Sequence, residues 1–125
     1  MTDIKITAPN DGAGKKIHKT LVMTNPVTVA IAAGVAVGSF TINATALTHT
    51  IILKIPTFTN AETVTFSIEN SNGDEIYSEE SLAKNTTHVL AVVKPLVGES
   101  TVKITLTGTP GDAIEPEIIF YLTGN

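Results

Sequence analysis

The chain has 125 residues, with 8 lysines, no arginine, 12 carboxylates and a net charge of −4. That balance argues against nucleic acid, which calls for a basic stripe that displaces counterions. The absence of cysteine excludes a disulfide scaffold, a thiolate zinc centre, an iron–sulfur cluster and a cysteine nucleophile. The length suits one domain that buries roughly 65 % of the surface its unfolded form exposes, without covalent staples.

Threonine is in excess at 20 residues, beside many valines and isoleucines. These β-branched side chains are stiff and fit a pleated, half-buried surface better than a helix, so the expectation is an all-β domain. Only 16 % of residues are charged, which excludes disorder. Met1 to Ile4 lacks the basic and apolar regions of a signal peptide. Val27 to Phe40 is too short and too interrupted to span a bilayer, so a soluble, non-membrane protein is expected. The sequons at Asn43 and Asn85 are read as chance in a threonine-rich chain.

In chain order, residues 1–20 differ from the rest. A short alternation at Ile4 and Ile6 runs into Ala8 to Lys16, a stretch rich in turn formers and charge. This reads as an extended N-terminal arm or a loose first strand, packed on its own sandwich or on a neighbouring subunit. Residues 21–125 are expected to form the sandwich. Leu21–Thr24 is a short strand. Val27–Val37 is a longer one, with Gly34 and Gly38 as bulge or turn points and a helix as the alternative. Phe40–Ile42 is a further short strand. Thr48–Ile55 turns Ile51, Leu53 and Ile55 to one face and ends at Pro56. Thr63–Ile68 alternates, with Val64, Phe66 and Ile68 inward and the threonines and Ser67 toward water.

Asn70–Gly73 is a hairpin signal that leads into Glu75–Ser78. Ser81–Asn85 reads as a polar crossing loop. Strands follow at Thr87–Val93, Thr101–Leu106 and Glu117–Leu122, the last with Ile118, Phe120 and Leu122 inward. About eight or nine strands at roughly 12-residue spacing, with no convincing helix, indicate a single antiparallel β-sandwich, Ig-like or jelly-roll-like, with an extended N-terminal arm.

No constellation in the chain calls for catalysis. Gly12–Lys16 lacks the spacing and context of a phosphate loop. Glu69–Glu75 has the oxygen-rich look of a calcium loop, but aligning Gly73 with the obligatory glycine puts Ile68 where the first carboxylate belongs. A looser site at Glu69, Asp74 and Glu75 is weighed against a solvated hairpin tip, and the tip is preferred. His18, His49 and His88 are far apart and lack metal-ligand spacing. No serine sits in a nucleophile elbow. Glu79 and Glu80, adjacent on a loop, cannot face one another across a sugar. The aromatics Phe40, Phe58, Phe66 and Phe120 suit a core, leaving Tyr77 and Tyr121 as the candidates for stacking a glycan. The expectation is a protein with no catalytic residues, no metal and no cofactor.

The run Ile55 to Ile68, with its Pro56-Thr57-Phe58-Thr59-Asn60-Ala61 segment, stands with Gly73–Tyr77 and Val102–Gly108. Together they resemble small structural proteins of tailed bacteriophages over roughly residues 50–122. This resemblance implies a capsid decoration, or cement, protein: a non-enzymatic β-sandwich made in the host cytoplasm. It would bind major capsid protein subunits on the outer surface of the virion and stabilise the shell. It also implies a homo-oligomer, with a trimer favoured. Ile4, Ile6, Pro9, Lys15, Lys16 and Lys19 are the candidate partner-binding residues of the arm. A receptor- or glycan-binding module of a phage tail or bacterial surface is the alternative.

Overall fold

Alternating apolar and polar residues build two layers, because successive side chains on a strand point to opposite faces. The computed structural model describes the backbone of residues 2–7 and 18–124 and the side chains of residues 22–123. Along the chain the strands are β1 (Thr2–Thr7), β2 (His18–Met23), β3 (Val27–Thr28), β4 (Val37–Asn43), β5 (Ala46–Ile55) and β6 (Val64–Glu69). They continue with β7 (Glu75–Leu82), β8 (Thr86–Ala91), β9 (Pro95–Leu96), β10 (Glu99–Leu106) and β11 (Glu117–Gly124). One sheet has the order β1-β2-β11-β5-β8, with β3 also pairing β11 and β9 also pairing β5. The other has the order β4-β10-β6-β7, and all pairings in both sheets are antiparallel. The fold is therefore an all-β sandwich.

The inward faces are those the alternation indicates. Ile51, Leu53 and Ile55 of β5 are buried against Val64, Phe66 and Ile68 of β6 and Val102, Ile104 and Leu106 of β10 in one core. Phe40 of β4 and Phe120 of β11 meet edge to face across the two sheets, with ring centroids 6.5 Å apart. Such an aromatic pair adds orientation to the burial that holds the layers together. Thr48 is a buried exception to the water-facing threonines. Its hydroxyl lies 2.5 Å from the Val92 carbonyl and 2.8 Å from the Lys94 carbonyl, and it accepts the Lys94 N–H at 2.9 Å. It thus satisfies buried backbone where the chain leaves β8 for β9. Thr48→Val keeps the shape and removes the hydroxyl, and should cost about 1–3 kcal/mol in urea unfolding by stranding the Val92 carbonyl and the Lys94 N–H, while the Lys94 carbonyl keeps the N–H of residue 48.

Some elements differ from expectation. The stretch 27–37 is not one strand. After β3, Val29 and Ile31 run beside residues 114–116, Val29 N–H donating to Pro116 and Ile31 bridging Ile114. A turn at Ala33–Gly34, closed by Val35 N–H on the Ala32 carbonyl, then sends the chain into the other sheet as β4. Gly34 is thus a turn point, while Gly38 lies within β4. β7 is longer than Glu75–Ser78 and absorbs the start of the expected loop, because Leu82 pairs with Val64 and is buried. Glu79 and Glu80 accordingly stand on a strand. Ser67 is buried rather than water-facing, on an inner strand between β10 and β7.

Candidate functional site

Three of the sequence-expected site residues, Ile4, Ile6 and Lys19, fall on the two strands at one edge of the first sheet. Ile4 stands opposite Leu21 and Ile6 opposite Lys19 in the β1–β2 register. Pro9, Lys15 and Lys16 lie outside the described residues.

The distinctive Pro56–Ala61 segment has a structural explanation. It forms a corner in which the β5–β6 connection is tied to the β10–β11 connection. Asp112 accepts hydrogen bonds from the backbone N–H of Thr59 at 2.7 Å and from its hydroxyl at 2.6 Å. The Asn60 side-chain amide donates to the Thr109 carbonyl at 2.8 Å, and the Asn60 N–H donates to Pro110. Gly111 has a φ of +83° and passes beside the Asn60 side chain, so the turn needs glycine there both for its backbone and for its space. Lys84 reaches over from the β7–β8 turn, donating to the Phe58 and Asn60 carbonyls at 2.5 and 3.0 Å. Its ammonium also sits 4.9 Å from the centre of the buried Phe58 ring. These polar groups hold one another. Asp112→Ala should lower stability by about 1–2 kcal/mol, the worth of an exposed charge-assisted pair of bonds, as read by thermal unfolding.

The other candidate residues are held singly. Asn70 closes the hairpin tip, its side-chain oxygen accepting from the N–H groups of Asn72 and Asp74 at 3.0 and 2.9 Å. Gly73, at φ +85°, supplies the left-handed turn residue. Glu69 pairs with Lys103 at 3.0 Å rather than turning toward Asp74 and Glu75. The His49 ring meets the Thr123 hydroxyl, and His88 Nε2 lies 2.8 Å from the Ala83 carbonyl. No three His, Asp or Glu side chains come together as a metal site among the described residues. Tyr77 packs edge-on to Phe66 with centroids 6.3 Å apart, and burial, then the Glu79 carboxylate, raises its hydroxyl above the usual pKa. It is half-buried rather than a free stacking platform.

A surface that sequence reading missed lies on the outward face of the first sheet. The register places Ile52 of β5 between Ile119 of β11 and Val89 of β8. Beside this apolar row, Lys54 has Glu117 and Thr87 as neighbours, and Thr50 has Tyr121 and Ala91. Lys54 and Glu117 pair at 3.3 Å. Ile119 is buried yet stands apart from the core cluster, and Val89 is 68 % exposed. The chain beyond β8 adds Val93 and Val97 as exposed apolar side chains. The signal for this face was the Ile52, Val89 and Ile119 positions on out-facing parity. It became legible only once the three strands were known to be neighbours.

Two shallow concavities flank the sandwich. One, of about 360 Å³, is lined by Ala30–Ala32 and Ala113–Glu115. The other, of about 230 Å³, is lined by Thr45–Leu47 and Pro95–Val97. Their lining is largely apolar, so they offer shape more than chemistry.

No protein-family model matches the chain, and no curated protein matches it. Solved structures similar to it include the VP2 subviral particle of infectious bursal disease virus. That match has 16 % identity and a TM-score of 0.46, covering 95 % of this chain and 37 % of the other. The carbohydrate-binding module CBM36, in complex with calcium and xylotriose, matches at 16 % identity and a TM-score of 0.39, covering 97 % and 99 %. An enzymatically active domain of tailspike protein 4 of bacteriophage CBA120 matches at 15 % identity and a TM-score of 0.34, covering 98 % and 17 %. The structures similar to this chain thus include proteins of virus particles and phage tails. The chain spans about a third of the length of the VP2 chain it matches.

Proposed function

We propose that the chain is a non-enzymatic structural protein of a tailed-bacteriophage virion, one that decorates the outer capsid surface and stabilises it by binding major capsid protein subunits. The resemblance over residues 50–122 supports this reading. The observation that carries it is the place of β1 as the terminal strand of its sheet. Beyond β1 there is no further strand among the described residues, so one side of its backbone is open to pairing. An extended segment of a capsid subunit adds to such an edge through main-chain hydrogen bonds and needs no cofactor. Ile4, Ile6 and Lys19 are the contact residues on β1 and β2, and Pro9, Lys15 and Lys16 are the further contact residues of this reading.

Deletion of residues 2–16 tests the assignment. Cosedimentation with expanded capsids should show binding weakened at least ten-fold, with the β-sheet signal in circular dichroism largely retained. Undiminished binding by the deletion variant overturns the arm as the docking element. Failure of the full chain to bind capsids at all overturns the function.

A further inference from the structure

We infer that β8 pairs with β8 of a second copy of this chain, about a two-fold axis through Val89, so that the first sheet runs on without a break from one subunit into the next. The inference begins with the four strands that end the main paths of the two sheets, β1, β8, β4 and β7, beside which β3 and β9 are short two-residue strands. An edge strand presents unpaired N–H and C=O groups, and proteins that stay apart protect such edges with charge, bulges or proline. β7 is protected in this way: it carries Glu75, Glu79 and Glu80, and its pairing with β6 is interrupted by two register shifts. β4 has no charge of its own, but its out-facing Ser39 lies directly beside Lys103, and Asn43 beside Glu99.

β8 has none of these devices. Its sequence is Thr86-Thr87-His88-Val89-Leu90-Ala91, uncharged and without proline. Its out-facing side chains, Thr87, Val89 and Ala91, are all exposed. The face behind it is apolar through Ile52 and Ile119. The flanking lysines do not crowd the edge: Lys84 is spent on the Phe58 and Asn60 carbonyls, and Lys94 lies past the strand, where its N–H turns back to Thr48.

A second copy fits this edge for reasons of parity and charge. Antiparallel partners directly opposite one another share a face, so joining core side to core side requires residues of like parity to pair. Centring the axis on Val89 places Val89 against Val89, Thr87 against Ala91, and His88 against Leu90. The row Ile119-Ile52-Val89 then meets its own copy, and six apolar side chains cross two subunits in one line. Centring on His88 instead would set two imidazoles against each other and separate the valines. Within β8 no like charges face across the Val89-centred pairing, and Lys84 comes level with Lys94 of the other copy only beyond the strand ends, whereas two copies of β7 would bring glutamates together. The contact is isologous and by itself closes as a dimer. A trimer, the assembly implied by the resemblance, would need a head-to-tail contact instead.

Two measurements on the full chain test the inference. In sedimentation velocity at tens of micromolar, the protein should run at twice its 13.1 kDa monomer mass. Val89→Lys should raise the dissociation constant at least ten-fold with an unchanged circular dichroism spectrum, since Val89 packs little in its own subunit. Because the chain has no cysteine, single cysteines report the register directly. Val89→Cys should cross-link to itself on oxidation or with a short bis-maleimide, as directly opposed Cβ atoms lie about 4.5–5.5 Å apart. Thr87→Cys should cross-link only when mixed with Ala91→Cys, because two copies of residue 87 would stand about 14 Å apart along the strands. A chain that stays monomeric at millimolar concentration overturns the inference, as does an assembly that Val89→Lys leaves intact. Self-cross-linking by Thr87→Cys in place of Val89→Cys also overturns it.

Discussion

Phe120→Ala should destabilise the protein by about 3–5 kcal/mol, the range for emptying a buried phenylalanine site. Phe120 lies on β11, which is paired on one side with β2 and on the other with β5. Its side chain is almost wholly buried, and its ring meets Phe40 from the opposite sheet. Its backbone is committed as well: the Phe120 N–H donates to the Thr24 hydroxyl at 3.1 Å, and its carbonyl accepts the Thr24 N–H at 2.9 Å. With the strand held in place, the walls of the vacated site have little freedom to collapse, so the cavity persists. A domain of this size holds only about 5–15 kcal/mol in total, so the urea midpoint should fall by a large fraction with little change in slope. Val97→Ala is the control, expected within about 0.5 kcal/mol of the native protein because that residue is exposed and lies outside β8. A loss under about 1 kcal/mol for Phe120→Ala would show that the two sheets do not depend on this contact.

Gly38→Val should cost about 3 kcal/mol, the upper end for overpacking a well-filled core. The glycine sits in β4 without a positive φ, so the reason for it is space rather than backbone freedom. A Cβ there would lie 2.6 Å from Val29 Cγ1 and 2.7 Å from Ile31 Cγ1. Both neighbours are buried and β-branched, so neither can swing away cheaply. Valine adds two further methyls to the same crowded spot. Gly38→Ala should fall between the native protein and Gly38→Val, and Gly34→Ala should be nearly neutral, since nothing lies within 4 Å of that position. Equal effects at 34 and 38 in urea unfolding would overturn the packing account.

These two glycines show where sequence reading stops. Both stood in one Ala- and Val-rich run and both read as bulge or turn points. Gly34 is in a turn, a local event that flanking residues announce. Gly38 is packed against residues that return to it only after the chain reverses at Ala33–Gly34. The Pro56–Ala61 segment teaches the same lesson. Its composition was legible as distinctive, but its partners Thr109, Pro110 and Asp112 lie about fifty residues on, brought there by sheet pairing. Thr48 was assigned to a strand correctly, yet its burial depends on Val92 and Lys94.

A low charge, no cysteine and a surplus of β-branched residues are enough to dictate an all-β chain without thiol chemistry. The period of two is enough to sort Ile51, Leu53 and Ile55, or Val64, Phe66 and Ile68, to the inside, because the pleat alternates whatever the neighbours are. Strand order is another matter. The chain crosses between the two sheets from β3 to β4, β4 to β5, β5 to β6, β7 to β8, β9 to β10 and β10 to β11, so most partners are remote in sequence. Only pairing decides that Ile119, Ile52 and Val89 form one row, or that β8 ends a sheet uncharged. A side chain's face follows from its own strand's geometry, whereas an open edge is a property of which strands the whole fold leaves unpaired.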